Sequence, residues 1–298
     1  MAVHWFGGSS AAYAHSVFLG GRGAPLVNDL TDLEALAPDV VSVTDRSRGR
    51  VVQIDAEGRL LSMIEIPIEL EEGSNLLPAH RFALGPNGAV VEQPMWRGTL
   101  ADYPGVMRVW ERDGRFRHYL GEVVRSGGPE FAEALSLGDF LIRGDTLWTL
   151  RRVDGRLLAY DISVAEASAG RVIHELPLFF EMSPPTIFLR DSIAGETAVA
   201  VTRHADSFTI DPNGNFFVEQ FREDGTPVLG AMAADGTVHR VFDLGVAQIR
   251  ALAATLEHLF AVVVLPGKWD TVVFAYQSPF VRDDVGQTTC HSSALPPS

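Results

Sequence analysis

Short apolar runs separated by Gly-, Asn- and Asp-containing turns recur along this chain, and two stretches repeat the pattern almost step for step. Phe82–Gly121 and Phe208–Gly245 each open on an apolar strand that meets a Pro-Asn-Gly turn, Pro86-Asn87-Gly88 in one and Pro212-Asn213-Gly214 in the other. A second strand closes on the same dipeptide, Glu92-Gln93 after Val91 and Glu219-Gln220 after Val218. A third leads into Asp113-Gly114 or Asp235-Gly236, and a fourth ends at Gly121 or Gly245. Gly and Asn/Asp suit such turns because they tolerate positive φ. The turn glycines Gly88 and Gly214 are 126 residues apart, three steps of 42. A four-stranded unit recurring at about 40–50 residues is the signature of a propeller blade.

More worn copies keep the same order. Val41–Asp45, Arg50–Asp55 and Leu60–Ile66 read as the last three strands of an earlier unit, and Asp139–Arg143, Thr146–Arg152, Arg156–Ile162 and Arg171–Pro177 as a full set. Ile249–Thr255, Leu259–Leu265 and Thr271–Tyr276 supply three strands of a final unit. Alternation in Arg50–Asp55 and Val238–Asp243 favours strand over helix. Between Leu178 and Arg203 only Thr186–Arg190 and Thr197–Arg203 are legible, which places a degenerate blade there. The expected fold is therefore all-β, a β-propeller of six four-stranded blades, with five as the alternative count. Val3–Phe6 or Val17–Leu19 is expected to complete the last blade, pairing the two chain ends and removing exposed sheet edges. Residues 1–298 form one domain in this reading, with a loose leader over about 1–15 and a flexible tail over about 284–298.

Composition narrows the partners. Apolar residues make up 46% and charged ones 21%, a globular balance. The net charge of −14 argues against a nucleic-acid backbone or an anionic membrane as partner, since both demand a basic face. No apolar run is long enough to span a bilayer. Met1–Ala14 has no Lys or Arg and is broken by Gly7-Gly8-Ser9-Ser10, unlike a signal peptide, so the compartment stays open. The single cysteine, Cys290, excludes an internal disulfide. A closed ring leaves no edge that demands a second copy, so a monomer is expected.

The phrasing Asp211-Pro212-Asn213-Gly214-Asn215 followed by Phe216-Phe217-Val218-Glu219, and later by Asp235-Gly236, resembles the NHL-type repeats of six-bladed β-propellers of the TolB-like group. The resemblance spans about Asp39 to Tyr276. It implies a fold that serves binding proteins and enzymes alike, including lactonases, other hydrolases and lyases, and it leaves an extracytoplasmic location open. Calcium-dependent lactonase-like members hold their metal with a Glu, Asn and Asp set that has no recognisable counterpart here. No metal or other cofactor is expected, calcium being the one the resemblance leaves open.

Blade geometry says where a site would lie. In an antiparallel blade the loop entering the first strand and the loop leaving the second share one end of the barrel axis, and ligand sites favour such mouths. Asp45, Glu92, Arg151 and Glu219 stand at corresponding places after second strands, and His80, Arg81, His204 and Asp206 stand before first strands. Trp96 and Trp269 lie in connections on the same rim, where a large apolar face beside polar groups suits a small organic ligand or a peptide side chain. Turn capping explains Asp45 without function, and shared ancestry explains the repeated Glu-Gln. Glu92 and Glu219 lie four and five residues after their turn glycines, so a bulge must restore the facing if the two correspond.

His80 and His204 are the candidate proton-transfer groups, with Asp206 placed to orient His204. His118, His174 and His239 fall in outer strands and read as structural. Gly20-Gly21-Arg22-Gly23 lacks the ending of a phosphate loop, and Arg143-Gly144-Asp145 occupies a hairpin turn. Two readings remain: a binding protein presenting a small-molecule or peptide site at the channel mouth, and a channel-centred hydrolase or lyase working through His and carboxylates.

Overall fold

The computed structural model describes residues 2–7, 12–18, 30–37, 40–45, 50–55, 59–65, 76–85, 88–96, 102–125, 132–136, 138–163, 172–176, 187–191, 197–201, 204–243, 248–256, 258–264 and 271–280. β1 (Ala2–Gly7) and β2 (Ala12–Phe18) form a hairpin. The first sheet is β3 (Leu30–Ala37), β4 (Val40–Asp45), β5 (Arg50–Asp55) and β6 (Leu60–Glu65). The second is β7 (Leu76–Leu84), β8 (Val90–Trp96), β9 (Met107–Trp110) and β10 (Phe116–Leu120). After a short helix α1 (Ala132–Ser136) the third sheet holds β11 (Gly138–Arg143), β12 (Thr146–Arg151), β13 (Leu157–Asp161) and β14 (Val172–Leu176). A second hairpin, β15 (Ile187–Asp191) with β16 (Thr197–Val201), precedes the fourth sheet, β17 (Ala205–Ile210), β18 (Phe216–Phe221), β19 (Pro227–Met232) and β20 (Val238–Asp243). The fifth sheet has three strands, β21 (Gln248–Ala254), β22 (His258–Val264) and β23 (Thr271–Gln277). The result is an all-β, propeller-like arrangement with four four-stranded antiparallel sheets.

The turn residues do what their chemistry predicts. Gly88, Gly114, Gly214 and Gly236 all have φ between 76° and 86°, in the left-handed region that a side chain disfavours. At the turn into β18 the Asp211 carboxylate accepts from the Asn213 and Asn215 main-chain N–H groups at 2.8 and 2.9 Å and from Asn215 Nδ2 at 2.8 Å. That local bonding closes the turn before any sheet packing is added.

Sheets stack through apolar seams. Val51 and Ile64 of the first meet Phe82, Leu84, Val90 and Trp110 of the second. Val91, Met107 and Val109 meet Phe140, Ile142 and Leu147 of the third. Leu150 and Leu157 meet Phe208, Phe216 and Val218 of the fourth, whose other face brings Phe217 and Leu229 against Ile249 and Leu259 of the fifth. Strands buried on both faces read as continuous apolar runs, which is why Val90 and Val91 are both fully buried. First strands lie innermost: β7 touches β3 and β11, and β17 touches β11 and β21. Fourth strands are outermost, with Leu60, Leu61 and Met63 of β6 and Ile173 of β14 exposed. His118, His174 and His239 lie in β10, β14 and β20, the outer strands foreseen for them.

The expected pairing of the chain ends needs revision. The N-terminal strands pair with each other, Ala2 opposite Phe18, and among the described residues the fifth sheet keeps three strands. A local hairpin closes a far shorter loop than one joining the chain ends. Among the described residues the stretch read as a degenerate blade forms the two-stranded β15–β16 ladder, and β11 packs directly on β17. There Asp139 accepts from the Phe208 main-chain N–H at 3.2 Å, and Arg143 Nη2 donates to the Ile210 carbonyl at 2.9 Å. The connection Gly121–Gly138 contains α1, whose Ala132 belongs to the core and whose Ser136 Oγ accepts from the Val124 N–H at 2.8 Å. Pro177–Pro185 and the tail 284–298 lie outside the described residues. No described helix is long and apolar enough to cross a membrane.

Candidate functional site

Antiparallel pairing puts the start of each first strand and the end of each second strand at one end of its sheet. Asp45 and Arg151 close β4 and β12, Glu219 lies in the later half of β18, and Glu92 is the third of the seven residues of β8. All four side chains are buried, and each engages a residue of its own sheet or the adjoining turn. Asp45 meets Arg50 Nε across the β4–β5 hairpin at 3.3 Å. Arg151 is held by Asp154 in the following turn and by Glu122 at 3.4 Å. Glu92 accepts from Arg108 Nη2 at 2.6 Å and from Trp110 Nε1 at 2.7 Å. Glu219 meets the Ser207 hydroxyl at 3.1 Å.

The other predicted residues distribute differently. His80 and Arg81, expected in an entry loop, lie inside β7, with Arg81 opposite Gln93. The apolar–polar pattern did not mark that strand as starting before Phe82. Trp96 is the last residue of β8, opposite Leu76, rather than part of a connection. Trp269 lies outside the described residues. His204 precedes β17: its N–H donates to the Arg152 carbonyl at 2.7 Å and its own carbonyl accepts from the Phe221 N–H at 2.8 Å. Asp206, in β17, forms an ion pair with Arg152 Nε at 2.7 Å.

The two Glu-Gln copies are out of phase. Equivalent turn bonds, Gly85 N–H to Ala89 O and Asp211 N–H to Asn215 O, align the two units. Pairing is unbroken from there to Glu92, opposite Phe82, and to Val218, opposite Phe208. No bulge restores the facing. Glu92 therefore shares a face with Val90 and looks toward the first sheet, whereas Glu219 shares one with Phe217 and looks toward the fifth. Glu92 corresponds to Val218, and Glu219 corresponds to Gln93.

That phase difference gives the two carboxyls different electrostatics. Glu92 has a guanidinium and an indole N–H in contact, yet burial still pushes its carboxyl above the usual range, with Arg108 pulling it back. Glu219 faces Leu229 across the β18–β19 ladder, where no cation is offered. Burial, with the nearby Asp206 carboxylate adding to it, pushes Glu219 up to about 7, against smaller opposing effects from the Ser207 hydroxyl, the Ile249 main-chain N–H and Arg152. Glu219 Oε1 is buried without a hydrogen-bond partner. The arrangement favours the protonated carboxyl up to about pH 7.

Two arginines escaped the sequence reading. Arg152 ties the third sheet to Asp206 in the fourth, and Arg108 is almost fully buried in β9. An arginine inside the apolar run Val106–Trp110 was the available signal, because Arg is seldom fully buried unless paired.

A narrow crevice opens between the second and third sheets beside Gln93, Glu122, Asp139, Thr149, Arg151 and Tyr160. It has room for about one water molecule. Among the described residues no group of three or more His, Cys, Asp or Glu side chains is placed to hold a metal ion.

No protein-family model matches the sequence, and no curated protein matches it either. Solved structures of similar shape include a eukaryotic initiation factor, 10% identical with TM-score 0.42, over 84% of this chain and 51% of that one. The chain thus spans about half the length of that factor. A streptogramin B lyase is 12% identical with TM-score 0.41, over 84% of this chain and 79% of that one. Virginiamycin B lyase from Staphylococcus aureus is 12% identical with TM-score 0.39, over 78% and 76%. What is shared is an all-β, multi-sheet, propeller-like form, and no chemistry is transferred from it.

Proposed function

We propose that the chain is a propeller-type enzyme of the NHL-like kind, with its proton-transfer group, Glu219, at the rim formed by the third, fourth and fifth sheets. One observation carries this reading: a fully buried carboxyl with one unpartnered oxygen and a proton affinity near neutrality. Burial and the Asp206 charge keep Glu219 protonated up to about pH 7, which suits a general acid that protonates a leaving oxygen. Asp206 is held by Arg152, and His204, two residues before it in the chain, is assigned the complementary base step. The substrate class is a small neutral lactone or ester that is hydrolysed, or a related ring opened by elimination. A purely binding rim would call for no such group, and Asp45, Glu92 and Arg151 are engaged locally.

The test is a panel of lactones, esters and peptides with the wild type, Glu219→Gln and His204→Ala. General acid–base catalysis contributes about 10²–10⁴-fold, so Glu219→Gln should lose at least a hundredfold in turnover with substrate affinity retained. Wild-type kcat/KM should fall as pH rises through about 7. Full activity in Glu219→Gln would remove the assignment.

A further inference from the structure

We propose that Ser207 is the residue through which Glu219 reaches its substrate, its hydroxyl passing the Glu219 proton on to the leaving oxygen. The inference rests on the Glu219 assignment and answers a question of access. Glu219 is 0% exposed, so its carboxyl cannot itself touch a ligand at the rim. Ser207 is partly exposed, and its Oγ lies 3.1 Å from Glu219 Oε2. Among the described residues it is the side chain to which Glu219 is hydrogen-bonded.

A bulge in β17 builds this contact. Ala205 stands opposite Gln220 and Phe208 opposite Val218, so two residues, Asp206 and Ser207, face the single residue Glu219. Such a bulge re-aims side chains that a regular ladder would fix. Here the extra residue lets two neighbours serve different partners: Asp206 reaches Arg152 of the third sheet at 2.7 Å, and Ser207 reaches Glu219 of its own sheet. In the second unit Arg81 stands directly opposite Gln93, and neither a hydroxyl nor a carboxyl occupies the corresponding place. The blade therefore forms without this pair.

The two carboxyl oxygens are unequal hosts for a proton. On Oε1 the O–H would be buried with no acceptor. On Oε2 it points at Ser207 Oγ, which has lone pairs to accept it. Protonated Glu219 thus donates to Ser207, and the Ser207 hydrogen is released to bond outward. Once the carboxyl ionises, the hydroxyl rotates back and donates to Oε2. The other groups about the carboxyl do not take the proton: Asp206 and Arg152 are paired with each other, β19 offers Leu229, and β21 offers the Ile249 main-chain N–H. In the catalytic step the Ser207 Oγ–H bond breaks as an O–H bond forms on the leaving oxygen, and the Glu219 Oε2–H bond breaks as Oγ regains a hydrogen. One proton moves from Glu219 to the leaving group, and Ser207 ends as it began.

The test follows that proton. A light-triggered pH jump from about 8 to about 6 on the full chain, read by infrared at the C=O band of the protonated carboxyl, times the protonation of Glu219, and Glu219→Gln identifies the band. Ser207→Ala should gain the band at least tenfold more slowly than the wild type, whereas Ser207→Thr, which keeps a hydroxyl, should match it. Turnover of aliphatic lactones and phenyl acetate should fall at least tenfold in Ser207→Ala and be rescued in Ser207→Thr. Should Ser207→Ala fail to fold, Ser207→Cys, whose thiol is a weak donor and acceptor, takes its place with the same expectation. A Glu219 band that appears at the wild-type rate in Ser207→Ala, or turnover lost in Glu219→Gln and kept in Ser207→Ala, would overturn the relay and leave the Glu219 assignment standing. No band assignable to Glu219 over this pH range would remove both.

Discussion

Glu219→Gln tests the site through stability as well as turnover, and the sign follows from the carboxyl's two environments. In the unfolded chain Glu219 ionises near its ordinary value of 4.5, and in the folded protein near about 7. Below 4.5 both states hold the proton and the burial costs nothing. Between these values the native state holds a proton that the unfolded state has released, so stability falls as pH rises and the loss is complete above about 7. A separation of about 2.5 pH units, at about 1.4 kcal/mol each, gives a loss of about 3 kcal/mol. Gln cannot ionise, so the variant should match the wild type near pH 4.5 and exceed it by about 3 kcal/mol at pH 8. Urea unfolding followed by tryptophan fluorescence at pH 4.5, 6, 7 and 8 measures the difference. Parallel stability curves for the two proteins would refute the reasoning, because the carboxyl would then have no raised proton affinity to lose.

Other predictions concern the scaffold. Asp211→Ala strips the acceptor from three donors of the turn into β18 and should cost about 1–3 kcal/mol, read as a lower urea midpoint at unchanged slope. Asp139→Ala removes the acceptor of the Phe208 N–H, and hydrogen exchange at that amide should accelerate well before global unfolding. Gly138→Ala would set a methyl group 1.7 Å from the Leu150 carbonyl oxygen. Backbone cannot yield there, so folded protein should be absent from the soluble fraction, and a well-folded variant would show that β11 and β12 lie farther apart.

What the sequence made legible were the features with local chemistry. The Asn-Gly and Asp-Gly turns announced the hairpins because positive φ is a property of single residues. β5, β18 and β20 announced themselves by alternation or by β-branched and aromatic content. β3 did not: Leu30-Thr31-Asp32-Leu33-Glu34-Ala35-Leu36-Ala37 is rich in good helix formers, and pairing with β4 overrides that preference. The candidates were placed after second strands from their spacing, and what distinguishes them was not legible. Whether Glu92 meets an arginine and Glu219 a leucine depends on which residue of a neighbouring strand lies opposite, and a one-residue difference in phase reverses the face. Arg108 was invisible for the same reason, since its partner lies across a ladder.

The direct docking of β11 on β17 also has a practical side. The polypeptide forms its own two-stranded ladder from Ile187 to Val201, β16 of which touches α1, and that ladder does not separate β11 from β17. Cargo spliced between Asp191 and Thr197, a fluorescent reporter or an affinity peptide, would leave the contact of β11 with β17 in place.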